Sequence, residues 1–251
     1  MPSRRPTAAP PERPVCAIRY NALVTDAFGA VAEPYDRWYE SVEGAAVFAA
    51  EVACLRVAAP QIKGDWLEIG VGTGRFAVGL GVSMGVDASL PMLTIAARRG
   101  VRAIAGNGEN LPCPERSLDG ILMVATLCFV EDAPRVLHEC ARVLRPGGAL
   151  LIGHIPADGP WGQSYLQKAR EGHPLYSHAR FGTAEELRHS ASTAGLTLKG
   201  AASTLFWPPG GTPERPPRIA RGISAGAGFI GLRFTVSRTG TLRAAPPTHK
   251  E

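Results

Sequence analysis

The sequence predicts a doubly wound α/β fold, a mostly parallel seven-stranded sheet with helices on both faces and an antiparallel hairpin at its C-terminal edge. After Pro60, short apolar runs alternate with helical stretches, and strand then helix, repeated, builds a parallel sheet through right-handed crossovers. A glycine-rich turn, Gly70-Val71-Gly72-Thr73-Gly74, joins the first of those runs to the first of those helices. Two last runs, residues 196–206 and 228–235, alternate polar and apolar positions as antiparallel strands do.

Residues 1–14 hold five prolines and three arginines and too little apolar content to pack, so a disordered tail is expected. Residues 15–60 form an N-terminal helical cover. In it Phe28, Tyr35, Trp38 and Tyr39 are aromatic anchors, and Val47, Phe48, Val52, Leu55 and Val57 recur near helical period over residues 44–57. The main domain is residues 61–240. Its strands are residues 65–69, 84–86, 101–105, 118–124 and 149–155, which with the two late runs make seven. Helices fall at residues 75–80, 90–99 and 133–144, the last stopped by Arg145-Pro146-Gly147-Gly148. A long polar and aromatic connection reaches Phe181. Thr183 with Glu186 three residues on is a capping-box start for a helix over residues 183–194, ended by Gly195. A Pro/Gly-rich loop, residues 208–217, separates the two late strands, and residues 241–251 are a flexible tail.

The net charge of +5 is carried by the ends. Arg4, Arg5 and Arg13 against Glu12 give the first 14 residues +2, and seven Lys/Arg against Glu214 and Glu251 give residues 207–251 +5, so residues 15–206 carry −2. An acidic body between basic ends is a poor phosphate-binding surface, which counts against a nucleic-acid partner. No apolar run approaches the roughly 20 residues of a membrane-spanning helix, and the N-terminus lacks the apolar core of a secretory signal; a cytoplasmic protein is expected. Five cysteines with no C-x-x-C pair and no histidine at ligand spacing read as reduced thiols, with no metal site.

The spacing of the glycine turn separates two ligands. A dinucleotide fingerprint is G-x-G-x-x-G, whereas here the third glycine is Gly74 and Arg75 follows. Glu68-Ile69-Gly70-Val71-Gly72-Thr73-Gly74 instead resembles the motif of class I S-adenosylmethionine-dependent methyltransferases. Four further segments in order are similar to that family's motifs. They are Asp87-Ala88-Ser89-Leu90-Pro91-Met92-Leu93, Gly106-Asn107-Gly108-Glu109-Asn110-Leu111-Pro112, Ser117-Leu118-Asp119, and Val143-Leu144-Arg145-Pro146-Gly147-Gly148. Ala32-x-x-Tyr35-Asp36-x-Trp38 looks like a segment that many small-molecule members lay over the cofactor.

The resemblance implies a Rossmann-like methyltransferase of the type 11 kind, acting on a small-molecule acceptor. It carries cofactor-binding roles onto Glu68, Gly70, Gly72, Gly74, Asp87 (ribose), Met92, Asn107 (adenine amine, where the family usually has aspartate), Gly108 and Glu109. Asp119 and Arg145 are then structural. A sulfonium methyl is already activated, so the protein mainly aligns and desolvates the reactants, with a base only where the acceptor needs one. His154, at the carboxyl end of a strand, is the candidate base. Tyr35, Trp38, Cys128 and Tyr176 are candidate acceptor contacts. A non-catalytic adenosylmethionine-binding or regulatory protein on the same fold is the alternative, and a nicotinamide-dependent reductase and a nucleic-acid methyltransferase are further readings of the same motifs. The glycine spacing counts against the reductase. Ala125-Thr126-Leu127-Cys128 stands where an Asp/Asn-Pro-Pro-Tyr/Phe motif would mark a flipped base.

Overall fold

The computed structural model describes residues 28–59 and 61–236. The expected tails and Cys16 lie outside the described residues. In chain order the elements are α1 (Ala32–Trp38), α2 (Val42–Ala58), β1 (Trp66–Ile69), α3 (Arg75–Leu80), β2 (Met84–Asp87), α4 (Leu90–Arg98), β3 (Arg102–Ala105), β4 (Leu118–Val124), α5 (Ala133–Val143), β5 (Leu144–His154), α6 (Pro160–Arg170), α7 (Ala184–Thr193), β6 (Leu196–Thr204), β7 (Ala220–Arg221) and β8 (Phe229–Val236). No helix among the described residues is long and apolar enough to cross a membrane.

Local chemistry sets most helix starts. Ser41 accepts the Gly44 amide at 3.0 Å, Ser89 caps α4 and Asp132 caps α5, each hydroxyl or carboxylate satisfying a first-turn amide that has no helical partner. Thr183 and Glu186 make the expected capping box. The helix α6 departs from the sequence reading, in which its residues were connection. Pro160 begins it and only Trp161 and Gly162 are buried, so no apolar stripe announces it.

All strands join one sheet in the order β3-β2-β1-β4-β5-β8-β6-β7. The first five pair in parallel, while β8 is antiparallel to both β5 and β6. The sheet therefore has eight strands rather than seven. The extra one, β7, is two residues paired to Ala202 and Ser203, too short to leave a pattern. The hairpin's second strand lies inside its first, so β6 and β7 form the edge. Residues 144–148 also run in β5 rather than in a separate turn, with a register irregularity opposite Leu118 and Gly120.

Strand alternation divides the core. Ile121, Met123, Leu150 and Ile152 pack with α5 and α7, while Leu122, Leu151 and Phe229 pack with α2, α3 and Trp161 of α6. At the amino ends of the strands Arg145 bridges Asp119 at 2.5 Å, and Asp119 accepts the Asp65 amide at 2.8 Å. Strand order reverses between β1 and β4, and in a doubly wound sheet ligands bind at the carboxyl ends there.

One carboxylate fastens the cover to that region. Asp36 of α1 accepts Arg75 Nε at 2.8 Å and Arg99 Nη2 at 2.6 Å, and Arg99 Nη1 donates to the Thr73 carbonyl at 2.7 Å. Burial works against ionisation, but the bonds from Arg75 and Arg99 outweigh it and hold the carboxyl at about 2, below its ordinary 3.8. This depressed value means stability that is complete above pH 3.8 and lost as pH falls through about 2. Asp36→Asn should therefore cost about 2 kcal/mol at pH 7 and lower the melting temperature by about 4–8 °C. Denaturant titrations at pH 7 and pH 2 check it, the gap to wild type closing at the lower pH.

Candidate active site

The turn after β1 is knitted to the end of β2. The amides of Gly70 and Val71 both donate to the Val86 carbonyl, at 2.8 and 3.1 Å. Gly70 and Gly72 sit at φ +67° and +52°, in the left-handed region that favours glycine. Their surroundings differ. A Cβ on Gly70 would stand 2.4 Å from the Thr126 side chain, whereas one on Gly72 would meet nothing within 4 Å. Gly70 is thus a packing glycine, and Gly72 opens onto the space at the switch point. Gly74, also left-handed, caps the start of α3.

Asp87, the last residue of β2, holds this loop. Its Oδ2 accepts the Gly72 amide at 2.8 Å and its Oδ1 accepts the Ser89 amide at 2.9 Å. Glu68 lies behind the loop. Strand neighbours on both sides, Gly85 and Leu122, enclose it to 1% exposure. Burial pushes its carboxyl well above the usual carboxylate range, against a bond from the Ala77 amide that pulls it down. Its Oε2 is buried without a hydrogen-bond partner among the described residues. A buried polar atom left so costs about 1–3 kcal/mol, which a bound cationic donor would recover.

The loop after β3 is held by bonds of its own. Asn107 is exposed and its Oδ1 accepts the Asn110 amide at 3.2 Å, closing a turn. Gly108 packs beneath Ile69 and Val136. Glu109 accepts the Asp132 amide at 3.1 Å, and its carbonyl accepts Arg135 Nε at 3.2 Å, which ties the loop to the start of α5. Met92 is 2% exposed and packs with Ala32 and Ile95, with Phe28 and Tyr35 against them.

Four tyrosines, Tyr35, Tyr39, Tyr165 and Tyr176, lie within electrostatic reach of one another. Tyr35 and Tyr39 share a hydroxyl–hydroxyl bond of 3.0 Å, and Trp38 packs edge-on to Tyr39. Tyr165 of α6 stacks on Tyr176 with ring centroids 4.4 Å apart. Cys128 donates to the Ala125 carbonyl at 3.4 Å, and burial drives its thiol up to about 12, so it is a protonated apolar group at neutral pH. Ala125 itself is at φ +51°, a conformation costing a non-glycine residue about 1–2 kcal/mol. His154 spends Nε2 on the Gly182 carbonyl at 3.0 Å, and burial lowers its imidazole to about 4. It is neutral, and as a base it is poorly matched to neutral pH. Asp36, Arg99, Thr126 and buried Glu51 escaped the sequence reading; only Asp36 stood in a motif.

Residues 67–152 match the family model of the methyltransferase domain. A crystal structure from Thermotoga maritima, described as a SAM-dependent methyltransferase and possible histamine N-methyltransferase, is 34% identical and superposes with a TM-score of 0.76 over 83% of this chain and 97% of that one. The chain belongs to the class I S-adenosylmethionine-dependent methyltransferases, type 11. An uncharacterized protein of Mycobacterium tuberculosis is 41% identical to this methyltransferase over 208 residues, 83% of this chain and 73% of that one. A demethylmenaquinone methyltransferase of Roseiflexus castenholzii is 38% identical over 109 residues, 39% of this chain and 45% of that one.

The two glycines should separate in stability. Gly70→Ala is expected to lose about 2–4 kcal/mol, from left-handed strain plus overlap with Thr126, and Gly72→Ala only about 1–2 kcal/mol of strain. Urea unfolding of both variants measures the difference; equal losses would contradict the packing assigned to Gly70.

Proposed function

We propose that this methyltransferase transfers a methyl group from S-adenosylmethionine to a small-molecule acceptor by in-line displacement. The observation that carries the reading is the buried, unpartnered Glu68 Oε2 behind the open Gly72. An ammonium such as that of the methionine end of the cofactor completes the first, and a ligand backbone-close to the turn fills the second. When bound, the cofactor supplies a methyl already activated on a sulfonium sulfur.

The chain's own residues bind and orient. Asp87 has its carboxylate plane fixed by the Gly72 and Ser89 amides, an orientation suited to accepting both ribose hydroxyls. Gly70, Gly72 and Gly74 shape the turn. Gly108 with Asn107 and Glu109 forms the loop beside the adenine, and Met92 supports that side from below. Tyr35, Trp38, Cys128 and Tyr176 enclose the acceptor and exclude water. His154, neutral and tied to Gly182, positions the 182 loop. The named relatives, a possible histamine N-methyltransferase and a demethylmenaquinone methyltransferase, also take small acceptors by their names, which supports the class.

Calorimetric titration tests this reading. Adenosylmethionine and its demethylated product should bind the wild type with dissociation constants on the order of micromolar. Asp87→Ala should weaken both about 10²–10⁴-fold, since it removes two hydrogen bonds to a charged group, while the far-ultraviolet circular dichroism is kept. Unchanged affinity in that variant would remove Asp87 from the site.

A further inference from the structure

Glu51 stands in the middle of α2, on the face it shares with buried Val47, Cys54 and Leu55, and is itself 7% exposed. Among the described residues it has no hydrogen bond or ion pair, and burial alone sets its proton affinity, lifting the carboxyl to about 8. The titratable groups within electrostatic reach of it are Tyr35 of α1, Tyr39 just past that helix, Cys54 of α2 and Tyr165 of α6. Tyr35 in turn reaches Tyr176 and Glu68. Phenols of the cover and of α6 thus share the electrostatic surroundings of Glu51, with Glu68 within reach of Tyr35. None of these groups is a cation. Arg75, over the Tyr39 ring at 5.4 Å, is engaged by Asp36, and Lys168 lies 5.6 and 5.9 Å from the Tyr165 and Tyr176 rings.

We propose that the acceptor is a primary or secondary amine, held as its ammonium ion between Glu51 and the tyrosine rings, and that Glu51 takes its proton. This rests on the methyltransferase reading and deepens it. A buried acid without a cation is costly, and pairing removes much of that cost, while tyrosine faces attract the same charge. An anionic enolate or phenolate would find no cation in this set to pair with. In the step, the Glu51 carboxylate accepts one proton from the ammonium. The freed nitrogen lone pair forms the N–C bond as the C–S bond breaks, its electron pair staying on sulfur. The product leaves as the N-methylated ammonium, and the proton on Glu51 passes to water. A carboxyl titrating near 8 is suited to that exchange at neutral pH.

The test uses the full chain and Glu51→Gln, which keeps the shape of the side chain. Calorimetry with adenosylmethionine, histamine, benzylamine and uncharged hydroquinone is combined with pH profiles of kcat/KM. Expected are a rising limb near pH 8 in wild type and, in the variant, loss of that limb, adenosylmethionine affinity within about twofold of wild type and at least tenfold weaker amine binding. Should the variant fail to fold, Tyr176→Leu is expected to weaken amine binding about three- to thirtyfold. Equal amine binding by wild type and Glu51→Gln overturns the proposal, as does a wild type that binds the cofactor but no amine, or that methylates hydroquinone in preference. Loss of adenosylmethionine binding in Glu51→Gln assigns the residue to the cofactor and also overturns it. A wild type that binds no adenosylmethionine refutes the methyltransferase reading itself.

Discussion

Between the ends of β1 and β2 one carboxylate, Asp87, accepts the amides of Gly72 and Ser89 and so sets the positions of a turn and a helix start together. The left-handed backbone at Gly72 is what lets its amide face that carboxylate while its α-carbon faces open space. Everything proposed for the site follows from this geometry. Without it the turn has no reason to expose main chain at the switch point, and Glu68 would be a buried acid with nothing in front of it. Asp36 repeats the device one layer out, joining α1 to Arg75 just past the turn and to Arg99 just past α4. Two carboxylates thus register the cover, the turn and two helices against the sheet.

The electrostatic character of the region is uniform. Glu68 and Glu51 are both buried acids whose charged forms are disfavoured by desolvation, and tyrosines surround the second of them. Such an interior has one inexpensive occupant, a cation of small size, because each charge then desolvates with its partner rather than alone. A sulfonium, an α-ammonium and an amine acceptor all meet that description. The neutral His154 and the protonated Cys128 add no opposing charge.

The parallel half of the sheet, the glycine turn and the antiparallel late strands were legible because each is written locally: a short apolar run, a left-handed glycine or a strict alternation. The capping box at Thr183 was legible for the same reason. What escaped is non-local. The strand β7 is two residues long and exists only through its pairing, and α6 has almost no buried stripe. Asp36 and Arg99 are 63 positions apart, and nothing in either neighbourhood announces the pair. Glu51 looks in sequence like the polar position of an amphipathic helix. It becomes a buried acid only in the folded chain, where it shares a helix face with buried Val47, Cys54 and Leu55. Asn107 and Glu109 stand in a recognisable motif, but the bonds they make to the Asn110 and Asp132 amides leave no local signal.

Amide hydrogen exchange, with and without the demethylated product of adenosylmethionine, addresses the site directly. Added protection is expected in three separate segments at the carboxyl ends of the strands, residues 70–75, 87–92 and 107–109, with little change around Asp119 and Arg145 at the opposite end. Protection absent from all three segments, or confined to the opposite end of the sheet, would contradict it.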